Sequence, residues 1–231
     1  MEIIKCLNLS KSYGKKLALD NVNLSIKKGR IVGLLGANGS GKTTLLKLIN
    51  DLLKPTTGSI KINNESPGIN SKKIISYLPE RTYLDLNMSV FECIEYFADF
   101  YQDFDKDKMY RMLEIMNIDT NAKMRTLSKG TKEKVQLALV MSREADVYIL
   151  DEPIGGVDPA GRDFILQTIL GNFNEDATLI ISTHLISDIE TILDEVIFIN
   201  NGEILLHEDS DELRNKHNMS IDAIFREEFK C

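Results

Sequence analysis

Eight residues, Gly36-Ala37-Asn38-Gly39-Ser40-Gly41-Lys42-Thr43, restrict the possible folds of this chain more than any other stretch. They follow a continuous apolar run, Ile31-Val32-Gly33-Leu34-Leu35, and lead into helical spacing from Thr44 to Leu53. An unbroken apolar run is the mark of a strand buried on both faces, and such strands lie in parallel sheets covered by helices. Val147-Tyr148-Ile149-Leu150 and Thr178-Leu179-Ile180-Ile181 have the same character, and helical spacing follows the first of them from Ala160 to Leu170. The expected fold class is therefore α/β. On the N-terminal side Val22, Leu24 and Ile26 alternate with polar residues, as do Ile60 and Ile62 ahead of the turn-forming pair Asn63-Asn64. That alternation predicts antiparallel strands with one wet face, added to the parallel core.

The octet fits the pattern G-x-x-x-x-G-K-[ST] in the context its chemistry needs, after a buried strand and at the opening of a helix. Four fixed positions arise by chance in roughly one chain in a hundred of this length, and the strand-loop-helix context removes most of those. Glycines let the backbone wrap closely, so that successive N–H groups and the helix N-terminus face phosphate oxygens. Gly36 to Thr43, with Thr44 behind them, are thus the expected cradle for a nucleoside triphosphate, read as ATP, with Lys42 neutralising the β/γ oxygens and Thr43 ligating Mg²⁺. Farther on, Asp151-Glu152-Pro153 ends a buried strand, and open α/β sheets bind their ligands at that end. An acidic pair after a strand is ordinarily a solvated turn. Downstream of a phosphate loop, Asp151 is instead expected to hold the metal, while Glu152 orients and deprotonates the attacking water.

Composition narrows the partners. A net charge of −7 over 231 residues argues against affinity gained by neutralising nucleic-acid phosphates. Cys6, Cys93 and Cys231 are far apart, odd in number and without a Cys/His cluster, so neither a disulfide framework nor a zinc site is expected, and a reducing cytosol fits. The opening segment reads as a strand rather than a signal peptide. No uncharged apolar run approaches the ~20 residues needed to cross a bilayer, so membrane attachment is expected only through a partner.

Between about Leu86 and Leu127 the strand pattern disappears and aromatic and Met residues concentrate, which predicts a helical insert. Ser89 and Glu92 form a capping box ahead of Val90, Ile94, Phe97, Ala98 and Tyr101 on one face, and Met109, Met112, Leu113 and Met116 mark a second helix. Such a stripe is expected to be core, although flexible Met and aromatic surfaces also suit a docking partner. Near the C-terminus, Ile221, Ile224, Phe225 and Phe229 fall at helical spacing, which predicts a terminal helix packed on the same chain.

Further motifs occur, in order, that resemble those of the ATP-binding cassette ATPases across nearly the whole chain. Leu127-Ser128-Lys129-Gly130-Thr131 is similar to the family signature L-S-G-G-Q, Gly155-Gly156-Val157-Asp158-Pro159 to the D-loop, and Ser182-Thr183-His184 to the switch histidine. Tyr13 matches the aromatic that stacks on adenine, and Ile75-Ser76-Tyr77-Leu78-Pro79-Glu80 occupies the Q-loop, with Glu80 where most members carry Gln. Lys129 and Thr131 are two further departures, standing in for Gly and Gln of the signature.

The resemblance implies a fold of a P-loop core with an antiparallel β edge and an inserted helical subdomain. One domain is expected, with 1–85 and 131–205 as the core and its edge, 86–130 as the helical insert, and 206–231 as a tail. It implies ATP and Mg²⁺ as ligands, with Glu152, His184 and Lys42 catalytic, Glu80 joining Thr43 and Asp151 near the metal, and Tyr13 on the base. Ser128, Gly130 and Asp158 are implied to act across a head-to-tail dimer, as a homodimer or with a sister cassette. The Leu-Pro-Glu wording resembles the exporter branch served by separately encoded membrane subunits (ABC-2 type), so the expected place is cytoplasmic, peripheral on the membrane through a permease. Two alternatives remain: a soluble switch acting on an assembly, nucleic-acid or ribosomal partner, and a non-hydrolysing ATP sensor, against which Glu152 and His184 together count.

Overall fold

The computed structural model describes residues 1–229. β1 (Glu2–Tyr13), β2 (Lys16–Lys27) and β4 (Thr57–Ile62) form an antiparallel sheet in the order β2-β1-β4. The second sheet has six strands in the order β5-β6-β7-β3-β8-β9, where β3 is Ile31–Leu35, β5 Ile75–Leu78, β6 Val147–Asp151, β7 Thr178–Thr183, β8 Glu195–Asn200 and β9 Glu203–Asp209. All its pairings are parallel except β8 with β9. The apolar runs explain why: along β6, Val147 and Ile149 enter one core while Tyr148 and Leu150 enter another. The first core also takes Val32, Leu34 and Ile180 and is closed by the antiparallel sheet and α1 (Lys42–Ile49); the second takes Leu35, Leu179 and Ile181 and is closed by the other long helices. The described cysteines, Cys6 and Cys93, are free and buried in different cores, and Cys231 lies outside the described residues.

Helix α1 opens two residues before the expected Thr44 and stops well short of Leu53. The stop is a Schellman turn, with Asp51 at φ 56°, its N–H donating to the Leu48 carbonyl and Leu52 N–H donating to that of Lys47. Asn63 and Asn64, at φ 48° and 68°, make the expected tight turn after β4. After α2 (Ile69–Ile74) and β5 come α3 (Val90–Phe100) and α4 (Lys106–Ile115), with the Ser89/Glu92 capping box at the head of α3. Val90, Ile94, Phe97, Met109, Met112 and Leu113 are buried, as their spacing requires, each such side chain worth about 1.5–3 kcal/mol.

Helix α5 (Lys129–Met141) begins inside the signature and runs unbroken past residue 130 into the core, so insert and core share one rigid element. α6 (Pro159–Leu170) and the short α7 (Ile186–Ile189) follow β6 and β7. Beyond β9, α8 (Ser210–His217) leads to α9 (Ile221–Glu228), whose Ile221 and Ile224 are buried and whose Phe225 ring meets Phe198 edge-on at 5.2 Å. The terminal helix thus docks on its own chain. At the carboxyl ends of β3, β6 and β7 stand the phosphate-loop octet, the Asp151-Glu152 pair and the Ser182-Thr183-His184 segment.

Candidate active site

The loop after β3 is shaped for backbone contact. A Cβ on Gly36 would meet the Ile199 carbonyl at 2.4 Å and Ser40 Oγ at 2.6 Å, and Gly41, at φ 117°, lies against the Ala18 carbonyl at 2.8 Å from a Cβ position. Only glycine fits either place. The loop is tied from outside by the hairpin turn after β8, where Gly202 N–H donates to the Ser40 carbonyl and the Gly202 carbonyl accepts from Asp20 N–H, at 2.8 and 2.9 Å. Lys42, 6% exposed, folds back to donate from Nζ to the carbonyls of Gly36 at 2.6 Å and Ala37 at 3.2 Å. Its ammonium also lies 3.3 Å from Glu152 Oε1.

Parallel pairing of β6 with β7 sets Asp151 beside Ser182. Asp151 Oδ1 accepts from Ser182 Oγ at 2.6 Å and from Thr43 Oγ1 at 3.3 Å, while its Oδ2 is buried with no partner. Burial pushes the Asp151 carboxyl above its ordinary pKa; the Ser182 and Thr43 hydrogen bonds oppose this, and the charges of Glu80 and Glu152 add to it. A buried carboxylate with one oxygen bare and a threonine hydroxyl on the other is an environment a hard divalent cation satisfies. Glu152 Oε2 lies 3.0 Å from His184 Nδ1, so one carboxylate stands between the Lys42 ammonium and an imidazole.

A cavity of about 570 Å³ joins Tyr13, Lys16 and Ala18 to Gly39, Gly41, Lys42, Thr43 and Thr44, with Glu80 and Glu152 also in its lining. A neighbouring cavity of about 490 Å³ shares Asn38, Glu80 and Glu152 with it and adds Lys129, Asp151, Gly156 and His184. Tyr13 is 47% exposed, a ring face available to a planar ligand. Glu80 is exposed and lines both cavities, yet among the described residues no three His, Cys, Asp or Glu side chains are grouped to hold a metal. Ser128, Gly130 and Asp158 line neither cavity. Ser128 caps α5 and shares a 2.7 Å hydrogen bond with Thr131, Gly130 faces open space, and Asp158 caps α6.

Against known proteins, the family model described as ABC transporter matches residues 19–155, more than half of the chain. The chain belongs to the ABC transporter family. This ABC protein is 32% identical to the SkfA peptide export ATP-binding protein SkfE of Bacillus subtilis (strain 168), over 89% of this chain and 88% of that one. Its fold matches a solved ATP binding subunit of an ABC transporter at a TM-score of 0.85, with 25% identity and 97% and 98% of the two chains covered. A dimeric post-hydrolysis state of the ATP-binding cassette MJ0796 bound to ADP and Pi matches at 0.78, with 26% identity over 90% of this chain and 98% of that one. The chain is accordingly an ATP-binding subunit of the ABC class, with ATPase activity. Among its described helices none is long and apolar enough to cross a membrane.

Two features of this ABC site lie outside its expected residues. Ser182 appeared in the sequence only as part of the segment ahead of His184, and its hydroxyl turns out to join both carboxylate residues: it donates to Asp151 and accepts the Glu152 N–H at 3.2 Å. The Asn201-Gly202 turn that ties the loop has the sequence mark of a hairpin, a short apolar run followed by Asn-Gly.

Proposed function

We propose that this chain powers an exporter: it hydrolyses ATP in a head-to-tail dimer seated on a separately encoded permease at the inner face of the membrane. The observation that carries the hydrolytic assignment is Glu152, whose carboxylate is held between Lys42 and His184 at the mouth of the phosphate loop. When the triphosphate enters, its β/γ oxygens draw Lys42 away from Glu152, and the loop N–H groups between Gly36 and Thr43 take the remaining charge. Glu152, released from the ammonium and still aligned by His184, orients water for in-line attack and accepts its proton. Tyr13 stacks on the adenine.

Thr43 and Asp151 would hold Mg²⁺, which would supply charge neutralisation for the phosphates. The unpartnered Asp151 Oδ2 supports that placement, and the scarcity of grouped acids fits an ion that keeps several waters. Glu80 stands where it can approach that shell or relay closure of the site.

Ser128 and Gly130 line neither cavity of their own chain, although Lys129 between them reaches one, and this fits a signature that completes the γ-phosphate site of a partner, with Asp158 at the same junction. ATP then favours the closed pair because those contacts exist only there, and hydrolysis reopens it. For the permease, an apolar groove of about 550 Å³ runs between core and helical insert, bordered by Leu52, Pro79, Tyr83, Phe97 and Phe100. Leu52 and Phe100 are 55% and 70% exposed there. Pro79 adjoins Glu80, so an amphipathic helix seated in the groove reaches the site through one residue. The relative named for peptide export supports the outward direction.

The deciding experiment is Glu152→Gln. Turnover is expected to fall by ~10²–10⁴, the usual contribution of a general base, with ATP retained and a dimer visible by light scattering. Normal turnover in that variant removes Glu152 from its role.

A further inference from the structure

We infer that Ser182 is a positioning residue for the metal-binding carboxylate and for the backbone of the general base. Its side chain is fully buried at the end of β7, opposite Asp151 in the parallel register. The hydroxyl has a single proton, and it goes to Asp151 Oδ1 at 2.6 Å. The same oxygen accepts the Glu152 N–H at 3.2 Å, while the Ser182 carbonyl accepts that N–H at 3.0 Å. One residue therefore fixes both members of the acidic pair, by the side chain of the first and the main chain of the second.

Two consequences follow from this bonding. The bond to Oδ1, which the Thr43 hydroxyl also approaches, settles the rotation of the Asp151 carboxylate and leaves Oδ2 as the bare oxygen free to take a cation. The double grip on the Glu152 N–H holds that residue at φ 52°, in the left-handed region a glutamate rarely adopts. That turn carries the Glu152 carboxylate back toward Lys42 and His184. Outer partners of this kind orient a ligand without touching the ion, and their loss typically costs 10–100-fold in metal affinity or activity.

This rests on the Mg²⁺-ATP reading, and the test separates the two. Ser182→Thr and Ser182→Val have nearly the same shape and differ in the hydroxyl. ADP affinity is measured first in EDTA and then across an Mg²⁺ titration, with hydrolysis followed in parallel. In EDTA the two variants are expected to bind ADP within about twofold of wild type, since the phosphate loop is untouched. The Mg²⁺ concentration that half-saturates the gain in affinity is expected to rise roughly tenfold or more in Ser182→Val and to stay near wild type in Ser182→Thr. kcat is expected to follow the same order. Coinciding Mg²⁺ curves for Thr and Val overturn the inference, because a purely structural role does not distinguish them. Should wild type itself bind no ADP, the nucleotide reading fails instead. Ser182→Ala, with thermal unfolding monitored, provides a third comparison if the added methyl groups disturb packing.

Discussion

Glu152 is the exception among the backbone conformations of this protein. The other described non-glycine residues at positive φ are Asn8, Asn21, Asp51, Asn63, Asn64, Asn117, Asn201 and Asn218, all of them types whose short polar side chains tolerate that region. Glu152 is neither, and it stands where the chemistry is, so the strain belongs to the site. This leads to a stability prediction independent of turnover. Glu152→Gly and Glu152→Ala both lose the carboxylate and should both lose hydrolysis, but Gly occupies φ 52° without a Cβ penalty. In urea unfolding Glu152→Gly should be the more stable by about 1 kcal/mol. Equal midpoints would mean that the left-handed turn is unstrained. Residue placement is legible where a motif imposes it: Thr43 meets Asp151 and Lys42 and His184 meet Glu152, at the strand ends their motifs occupy. Ser182 was not, because a serine in an apolar strand gives no sign of its partner until the register with β6 is known.

Elements were legible where local chemistry closes them. The capping box at α3 is complete: Glu92 N–H donates to Ser89 Oγ at 3.1 Å, and the Ser89 N–H donates to Glu92 Oε2. That backbone hydrogen bond, with the Lys123 ammonium at 3.1 Å and the Ser89 hydroxyl, draws the Glu92 carboxyl down to about 2. A depressed carboxyl contributes stability above its unfolded value, and that contribution is lost as pH falls through the folded one. The urea midpoint of wild type should therefore exceed that of Glu92→Gln at neutral pH, and the gap should close as pH falls from 4.5 toward about 2. A gap that persists unchanged through that window would assign the effect to packing rather than charge. The end of α1 was misplaced because Leu52 and Leu53 continue an apolar spacing, whereas Asp51 turns left-handed and lets the Schellman bonds form first. Strands β8 and β9 carry only the Asn201-Gly202 turn signal between them, since neither Glu195–Asn200 nor Glu203–Asp209 ends in a chemical motif.

At the scale of the whole molecule the parallel core, antiparallel edge and helical insert are legible in the runs, alternation and helical spacing of apolar residues, but the proposed sharing of a site between two copies leaves no such pattern to read. Such sharing would follow instead from what one chain leaves unfinished. Ser128 spends its hydroxyl on Thr131 and the α5 cap, and neither it nor Gly130 reaches the cavity that holds Lys42 and Glu152. If the signature serves a partner's nucleotide, two defects in different chains can be repaired by mixing. Lys42→Ala destroys the phosphate loop and Ser128→Arg blocks the signature, so each variant alone has no intact composite site and should be inactive. Mixed in equal amounts with free exchange, half the dimers pair one of each, and each such dimer rebuilds one of its two sites from the good loop of one chain and the good signature of the other. Hydrolysis should recover to about a quarter of the wild-type rate if the sites act independently. The recovery must depend on total protein concentration, because it requires association, and it must vanish when Glu152→Gln is added to the Ser128→Arg chain, since that chain supplies the working loop and its base. Recovery that survives this addition, or no recovery at any concentration, contradicts a site shared across a head-to-tail pair.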